Sequence, residues 1–263
     1  MARVSVEIEN HIARVTLTRG DKMNALDPEM MQAIVDAGES LMDNEDVRVV
    51  VLSGEGKAFC AGLDVMSFGI HAGSDPVELL MPRSHGNANL FQQVVMVWRK
   101  LPVPVLCALQ GVAYGGGCQI ALGADVRFAA PDTKMAVMEM KWGIVPDMGG
   151  MALLPHLTRS DVIRRLTYTA APFDAAQALD WGLVSEIAED PVAAAMALAE
   201  EIAGKSPSAI RAAKALIGFA EENKGDPDAV LLEESRVQST LMGKPHQMEV
   251  IAANLQKRKP NFG

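Results

Sequence analysis

The stretch that decides the fold is Val103-Pro-Val-Leu-Cys-Ala-Leu109, which runs through Gln110-Gly-Val-Ala-Tyr114 into Gly115-Gly-Gly-Cys-Gln119. The apolar run at its start predicts a buried strand, and Gln119-Ile-Ala-Leu-Gly-Ala124 predicts the first turns of a helix. Three consecutive glycines are tolerated where a backbone turns sharply or approaches another group closely. At a strand-to-helix junction, backbone N–H groups and the positive helix end can face developing negative charge. The stretch therefore predicts an oxyanion site.

Composition limits the class of protein. The chain has 263 residues, of which 49% are hydrophobic and 22% charged, as in an ordinary globular protein. A net charge of −9 argues against a nucleic-acid surface, which needs a basic patch. No signal-peptide core opens the sequence, and no uncharged apolar run approaches the roughly 20 residues of a membrane helix. We expect a soluble, cytoplasmic protein that binds neither nucleic acid nor membrane.

Cysteine and histidine spacing gives no indication of a metal site. Cys60, Cys107 and Cys118 lie among apolar or glycine-rich neighbours without Cys-x-x-Cys spacing, which predicts buried free thiols. The five histidines lack the spacing of metal ligands. The glycine-rich segments also lack the Lys-Ser/Thr of a P-loop and the dinucleotide fingerprint. We therefore expect neither a metal nor a nucleotide cofactor.

Periodicity organises the chain into strands and helices. Residues 4–8 and 12–17 alternate with period 2 and predict a hairpin. Asp27 is the predicted N-cap of a helix that runs to about Asn44, and a buried strand follows at 47–52. Segments farther along comprise a polar loop near the site at 71–82, a helix at 89–101, and short strands at 126–129 and 134–137.

From Pro172 onward the chain is predicted to be almost entirely helical. Helical segments are predicted at 174–181, 191–204, 207–223, 226–242 and 245–256. The order is strand, strand, helix, repeated, and then a helical tail. It differs from the simple strand-helix alternation of a doubly wound sheet.

Two glycine-bearing turns follow buried strands and are candidates for one shared site. They are Ala58-Phe-Cys-Ala-Gly-Leu-Asp64 and Gly111-Val-Ala-Tyr-Gly-Gly-Gly-Cys-Gln119. If they meet in space, each could offer one backbone N–H to a thioester carbonyl, and two donors are the minimum for an oxyanion hole. From spacing alone, two ordinary tight turns are the simpler interpretation.

Further motifs in the same order carry a resemblance to a known family. Together with Asn24-Ala-Leu26, Asp125, and Met138-Glu-Met-Lys-Trp-Gly-Ile-Val-Pro146 ahead of Gly149-Gly150, the turns resemble the crotonase superfamily, also called enoyl-CoA hydratase/isomerase. The resemblance covers essentially the whole chain. It implies an α/β fold in which residues 1–200 form a spiral of strand-strand-helix repeats with an acyl-CoA site. It also implies that residues 201–263 form a helical region that packs trimers, often paired into hexamers.

The resemblance also assigns residues to the substrate site. Leu63 and Gly116 would supply the oxyanion-hole N–H groups, and the substrate or its CoA moiety would lie along Ala61, Gly62, Asp64 and Gly115. Coenzyme A belongs to the substrate, so no separate cofactor is implied. The run Lys257-Arg-Lys259 could approach a CoA phosphate, perhaps on a neighbouring subunit, although such a run is usually a solvated tail.

The acids depart from the hydratase pattern. Hydratases that the sequence resembles carry two glutamates that position and activate a water; the second is matched by Glu139, whereas the first falls on Gln119. An amide cannot act as a general base. Gln119 could still orient a water or a substrate group, or it could simply fill the pocket at a helix start.

Asp147 is the third position that bears on the reaction. Typical hydratases have glycine after the segment matched by Gly143-Ile-Val-Pro146, whereas an aspartate is similar to the dienoyl-CoA isomerase branch. Paired carboxylates in an apolar pocket can have their pKa values pushed apart, which gives one acid and one base. The pattern favours double-bond isomerisation through Glu139 and Asp147. Alternatives are a hydratase in which Gln119 positions water, a non-catalytic acyl-CoA-binding protein, and, for Asp147, an ordinary turn residue.

Overall fold

A main sheet and a small sheet form the centre of the protein, as seen in a computed structural model that describes residues 2–64, 66 and 75–263. The main sheet has the strand order β1-β2-β3-β4-β6-β9, and the small sheet has the order β5-β7-β8. The strands are β1 Val4–Glu9, β2 Ile12–Leu17, β3 Val49–Gly54, β4 Val105–Leu109, β5 Val112–Tyr114, β6 Val126–Ala129, β7 Lys134–Ala136, β8 Phe173–Asp174 and β9 Glu186–Ile187.

Both faces of the main sheet are covered by helices. β1 and β2 form an antiparallel hairpin, and every following pair in this sheet is parallel. Val50 and Leu52 enter the larger core, while Val49 and Val51 enter a second core against α8. Since successive side chains of a strand point to opposite faces, burial on both sides explains the unbroken apolar run of β3.

The helices alternate with the strands and then continue as a tail. They are α1 Pro28–Ser40, α2 Pro76–Leu80, α3 Leu90–Lys100, α4 Gly116–Leu122, α5 Gly150–Leu157, α6 Ser160–Thr169, α7 Ala175–Asp180, α8 Pro191–Ala203, α9 Pro207–Glu222, α10 Pro227–Leu241 and α11 Pro245–Leu255. Asp27 caps α1 by accepting from the Met30 N–H, as its sequence position predicts. None of the described helices is long and apolar enough to cross a membrane.

The predicted order of elements is confirmed, with local corrections. The α1 helix ends at Ser40 and not near Asn44, because Leu41 and Met42 donate to carbonyls three residues back and tighten the chain into a turn. The predicted loop at 71–82 contains helix α2, whose first turn is capped by Asp75. Residues 71–74 of that loop lie outside the described residues.

Besides α2, two further helices and several strands were not predicted. Helices α5 and α6 were missed, and α5 begins at Gly150 and contains Pro155, two residues that ordinarily mark turns. Strands β5, β8 and β9 have three or two residues each, which is too short for a periodic pattern. All three cysteines are buried and free, as predicted.

Candidate active site

The two glycine-bearing turns meet in space because the segment around Cys60 pairs with β5. The Cys60 N–H donates to the Val112 carbonyl at 3.1 Å, and the Tyr114 N–H donates to the Cys60 carbonyl at 3.0 Å. Gly62 has φ +88°, and a Cβ there would lie 2.6 Å from the Tyr114 carbonyl oxygen and 3.6 Å from the Gly116 nitrogen. Only glycine fits this close approach.

The amides of Leu63 and Gly116 are available as donors at this meeting point. Leu26 pairs with Leu63 in a parallel bridge: the Leu26 N–H donates to the Gly62 carbonyl at 2.8 Å, and the Asp64 N–H donates to the Leu26 carbonyl at 3.0 Å. Gly116 is the first residue of α4, where an N–H has no acceptor within the helix. Within the described part of the chain, neither amide donates to a protein acceptor.

A cavity of about 100 Å³ opens at these amides. The described residues that line it are Ala61, Gly62, Leu63, Gly115, Gly116, Met138, Glu139, Trp142 and Ile144. Glu139 is the carboxylic acid among them, and its side chain is buried. A Cβ on Gly115 would lie 3.5 Å from Oε1 of Glu139, so the acid is next to the triple-glycine turn.

A larger apolar cavity, of about 380 Å³, lies elsewhere in the fold. Leu122, Leu153, Ile202 and Ile217 are among its lining residues. It contains none of the predicted site residues, and its charged lining residues pair with one another, Lys214 with Asp125 at 2.7 Å and Arg99 with Glu221. Position and chemistry therefore favour the smaller cavity as the candidate active site.

Gln119 lies behind Glu139 and contacts it directly. Its Nε2 donates to Oε1 of Glu139 at 2.6 Å. Its Oε1 accepts from the Met148 N–H at 3.1 Å and from the Gly150 N–H at 2.9 Å. Oε2 of Glu139 is buried and has no hydrogen-bond partner among the described residues. A buried polar atom without a partner marks a place where water or a ligand group is to be expected.

Comparison with known proteins confirms the family that the sequence resembles. A family model described as enoyl-CoA hydratase/isomerase matches residues 7–263. A protein of Mycobacterium tuberculosis named probable enoyl-CoA hydratase is 32% identical over 98% of this chain and 97% of its own length.

The chain belongs to the enoyl-CoA hydratase/isomerase family.

Other family members carry different activities in their names and share the fold. The mitochondrial Delta(3,5)-Delta(2,4)-dienoyl-CoA isomerase of Mus musculus is 30% identical over 83% of this chain and 69% of its own. The crystal structure of an enoyl-CoA hydratase from Bacillus anthracis superposes with a TM-score of 0.89 at 28% identity, over 99% of this chain and 98% of that one. The enzyme is thus an acyl-CoA-processing member of the crotonase superfamily.

The charge of Asp147 acts on Glu139 in this family member. Burial is the main cause that raises the pKa of Glu139; the adjacent backbone amides and the hydrogen bond from Gln119 lower it, and the nearby charge of Asp147 raises it. Burial also raises the pKa of Asp147. Asp147 is exposed, so solvent weakens this effect of burial on its carboxyl group.

Asp64 follows the cavity-lining residue Leu63 and is held by contacts within the protein. Its Oδ2 pairs with Nη1 of Arg19 at 2.8 Å, and its Oδ1 accepts from the Met66 N–H at 3.1 Å. Arg19 is the main cause that lowers the pKa of Asp64. At the other end of the chain, Arg258 pairs with Glu249 at 2.5 Å and leaves Lys257 and Lys259 as the cations of that run without an ion pair among the described residues.

The structure brings most of the predicted site residues together. Ala61, Gly62, Leu63, Gly115, Gly116 and Glu139 line one cavity. Gln119, Asp64 and Asp147 are not among the described lining residues but stand directly behind or beside it. Sequence reasoning missed Arg19, whose partner is 45 positions away, and the part played by the Met148 and Gly150 amides. The described residues contain no group of three or more histidine, cysteine or acidic residues placed to hold a metal.

Proposed function

We propose that this enzyme moves a double bond along an enoyl- or dienoyl-CoA thioester, with Glu139 as the proton-transferring residue and Asp147 as a second acid or base. The proposal rests mainly on one observation: Glu139 lines the cavity of the Leu63 and Gly116 amides and has a buried oxygen without a described partner. A carboxylate placed in this way can accept a proton from a carbon next to the thioester carbonyl.

The proposed reaction only relocates a proton. The thioester oxygen would accept hydrogen bonds from the Leu63 and Gly116 N–H groups. The Glu139 carboxylate would remove a proton from the carbon next to the thioester carbonyl, and the resulting negative charge would lie on the thioester oxygen as an enolate. Glu139 would then deliver that proton to the far end of the system. For the longer conjugated system, Asp147 in its protonated form would deliver a proton instead, and exchange with solvent would afterwards return a proton to Asp147 and remove the one held by Glu139. Ala61, Gly62, Gly115 and Asp64 remain our candidates for contact with the substrate or its CoA moiety.

A hydratase is the second candidate, because the M. tuberculosis relative carries that name. In that mechanism Gln119 would position the attacking water together with Glu139. The contacts of Gln119 restrict that role, since its oxygen already accepts two backbone N–H groups and one of the two N–H groups of Nε2 donates to Glu139, which leaves a single N–H for a water.

Substrate comparison separates these candidates. The protein is incubated with crotonyl-CoA, a 3-enoyl-CoA and a 3,5-dienoyl-CoA, and the products are identified by mass spectrometry and NMR. We expect isomerised products, and we expect the rate of isomerisation to be about 10²–10⁴-fold lower in Glu139→Gln. Fast hydration of crotonyl-CoA that persists in Asp147→Asn but disappears in Glu139→Gln would refute isomerisation. Binding of acyl-CoA without turnover, unchanged in Glu139→Gln, would indicate a non-catalytic binder.

We also propose that the tail packs against other copies to form a trimer or a pair of trimers. None of the residues of α9 and α10 is buried. Large apolar side chains exposed on the tail are Ile217, Leu231, Leu232, Met242, Met248, Ile251 and Leu255. Light scattering after size-exclusion chromatography gives the mass of the assembly, which Leu232→Glu is expected to lower. Leu179→Glu, which changes an exposed leucine of α7, is the control and should leave the mass unchanged. A monomer at micromolar concentration would refute the assembly.

A further inference from the structure

The carboxamide of Gln119 has one possible orientation. Its Oε1 accepts from two backbone N–H groups, those of Met148 and Gly150, and a Cβ on Gly150 would lie only 2.8 Å from that oxygen. A flipped amide would turn its NH₂ group against these two donors, which cannot accept a hydrogen bond. The NH₂ group must therefore face Glu139.

This orientation makes the two oxygens of Glu139 different from one another. Oε1 accepts from Gln119 at 2.6 Å, whereas Oε2 is buried without a hydrogen-bond partner among the described residues. The contact connects α4, whose first residue is Gly116, to the turn that carries Glu139. It also connects both to the start of α5 through Gly150.

We propose that Gln119 is a positioning residue that holds Oε1 of Glu139 and leaves Oε2 as the oxygen that exchanges a proton with the substrate. The inference rests on the proposed role of Glu139 as the base. A carboxamide keeps its donor at every pH, whereas a carboxyl group in its place would lose the donor on ionisation. We call this hydrogen bond from Nε2 of Gln119 to Oε1 of Glu139 the clamp. It keeps the Glu139 carboxylate in one geometry across the working pH range.

Other titratable and charged groups lie on the elements that surround Glu139, and some of them affect its pKa. Asp147 raises the pKa of Glu139, and Glu139 in turn helps to raise that of the Cys118 thiol on α4, after burial. On α6, which packs against the same turn, Arg164 is held by Ser160 and Tyr168, Arg165 stacks over Trp181, and Asp161 pairs with Arg159. Lys141, on the turn itself, lies over Trp142. The Gln119 hydrogen bond favours the ionised form of Glu139.

Two substitutions of Gln119 distinguish a role of its hydrogen bond to Glu139 from a role in packing alone. Gln119→Met keeps the length of the side chain and removes its hydrogen bonds. We expect kcat to fall by about tenfold and the acidic limb of kcat/KM to move up by about one pH unit, with little change in KM. In Gln119→Glu a protonated carboxyl donates as the amide does but an ionised one does not, so the activity should fall as the pH rises through the pKa of the introduced carboxyl.

Matched controls and a readout other than activity complete the test. Gln93→Met removes another buried glutamine that donates to a glutamate, Glu39 at 3.1 Å, and should leave the pH limb in place. Circular dichroism checks that each variant is folded. Loss of kcat in Gln119→Met without a shift of the pH limb would overturn the inference and indicate a purely structural role.

The titration of Glu139 itself separates failure of the clamp from failure of the proposed function. Its carboxyl resonance is followed by ¹³C NMR in protein labelled at glutamate and assigned by its absence in Glu139→Gln. A higher midpoint in Gln119→Met supports the clamp even if the wild-type protein isomerises no thioester, in which case only the proposed function fails. An unchanged midpoint in a folded variant, with an active wild-type enzyme, overturns the clamp alone.

Discussion

Nη1 of Arg19 holds the carboxylate of Asp64 at 2.8 Å, next to Leu63, whose amide is one of the two donors that we propose for the oxyanion hole. Nη1 of Arg19 also donates to the Ala25 carbonyl at 2.9 Å, so the guanidinium joins the two segments that pair through Leu26 and Leu63. Asp64 is therefore engaged with the scaffold of the Leu63 turn. Its predicted contact with CoA remains a prediction, which the following substitution tests.

Asp64→Ala should reduce kcat more than it raises KM. Without the carboxylate, the ion pair with Arg19 is lost and the Leu63 N–H is held less firmly. We expect kcat to fall about tenfold, which corresponds to about 1.4 kcal/mol of transition-state stabilisation. Steady-state kinetics on a 3-enoyl-CoA measure both constants. Asp161→Ala, which breaks an exposed ion pair with Arg159 on α6, is the control. A raised KM with unchanged kcat would instead support contact with CoA.

The pH profile of the reaction should depend on Asp147. Burial raises the pKa of Glu139, so its carboxylate form, the base, becomes dominant only above the ordinary glutamate value of about 4.3. Asp147→Asn removes a neighbouring negative charge and should move the acidic limb of kcat/KM to lower pH. Asp132→Asn changes an exposed aspartate in the turn between β6 and β7 and should leave the limb unmoved. A limb that does not move in Asp147→Asn would contradict the coupling.

Glu139→Gln should stabilise the fold at neutral pH. The pKa of Glu139 is raised in the folded state, so between the unfolded and folded pKa values the native protein binds more protons than the unfolded chain. Stability contributed by this group therefore falls as the pH rises through that window. Replacing the buried carboxylate by an amide removes the penalty, and urea denaturation at pH 7 should show a gain of about 1 kcal/mol. A loss of stability at pH 7, with no change at pH 4, would contradict this.

Most of the fold follows from local pattern. The period-2 alternation of the first hairpin and the Asp27-Pro28 start of α1 predict those elements directly. Helix α5 was missed because its signals conflict with local preference: Gly150 begins it beside Gly149 at φ +103°, a left-handed conformation. Tertiary packing decides such an element, as Leu153 and Leu154 enter the core.

Residue types in the candidate site could be predicted, but their contacts could not. The sequence places an amide at 119 and an acid at 139, and resemblance points to both. That Gln119 turns its oxygen to the Met148 and Gly150 amides depends on how the loop before α5 folds back over α4. Spacing along a chain carries no information on which oxygen of Glu139 is left without a partner.

Gly116→Ala should impair catalysis and stability together. A Cβ there would lie 2.8 Å from Cδ1 of Leu26 and 2.8 Å from Sδ of Met148, closer than real contacts allow, so the amide or its neighbours must shift. Overpacking of this kind costs about 1–3 kcal/mol of unfolding free energy. Displacing an oxyanion-hole donor costs a further factor of about 10²–10³ in kcat.

Gly218→Ala is the matched control, because a Cβ at that position of α9 meets no atom within 4 Å. Replacing a glycine inside a helix should add about 1 kcal/mol of stability and leave kcat unchanged. Urea denaturation and turnover of a 3-enoyl-CoA measure both effects for each variant. If Gly116→Ala loses stability but keeps the kcat of the wild type, the Gly116 N–H does not stabilise the developing charge, and the oxyanion hole must be built from other donors.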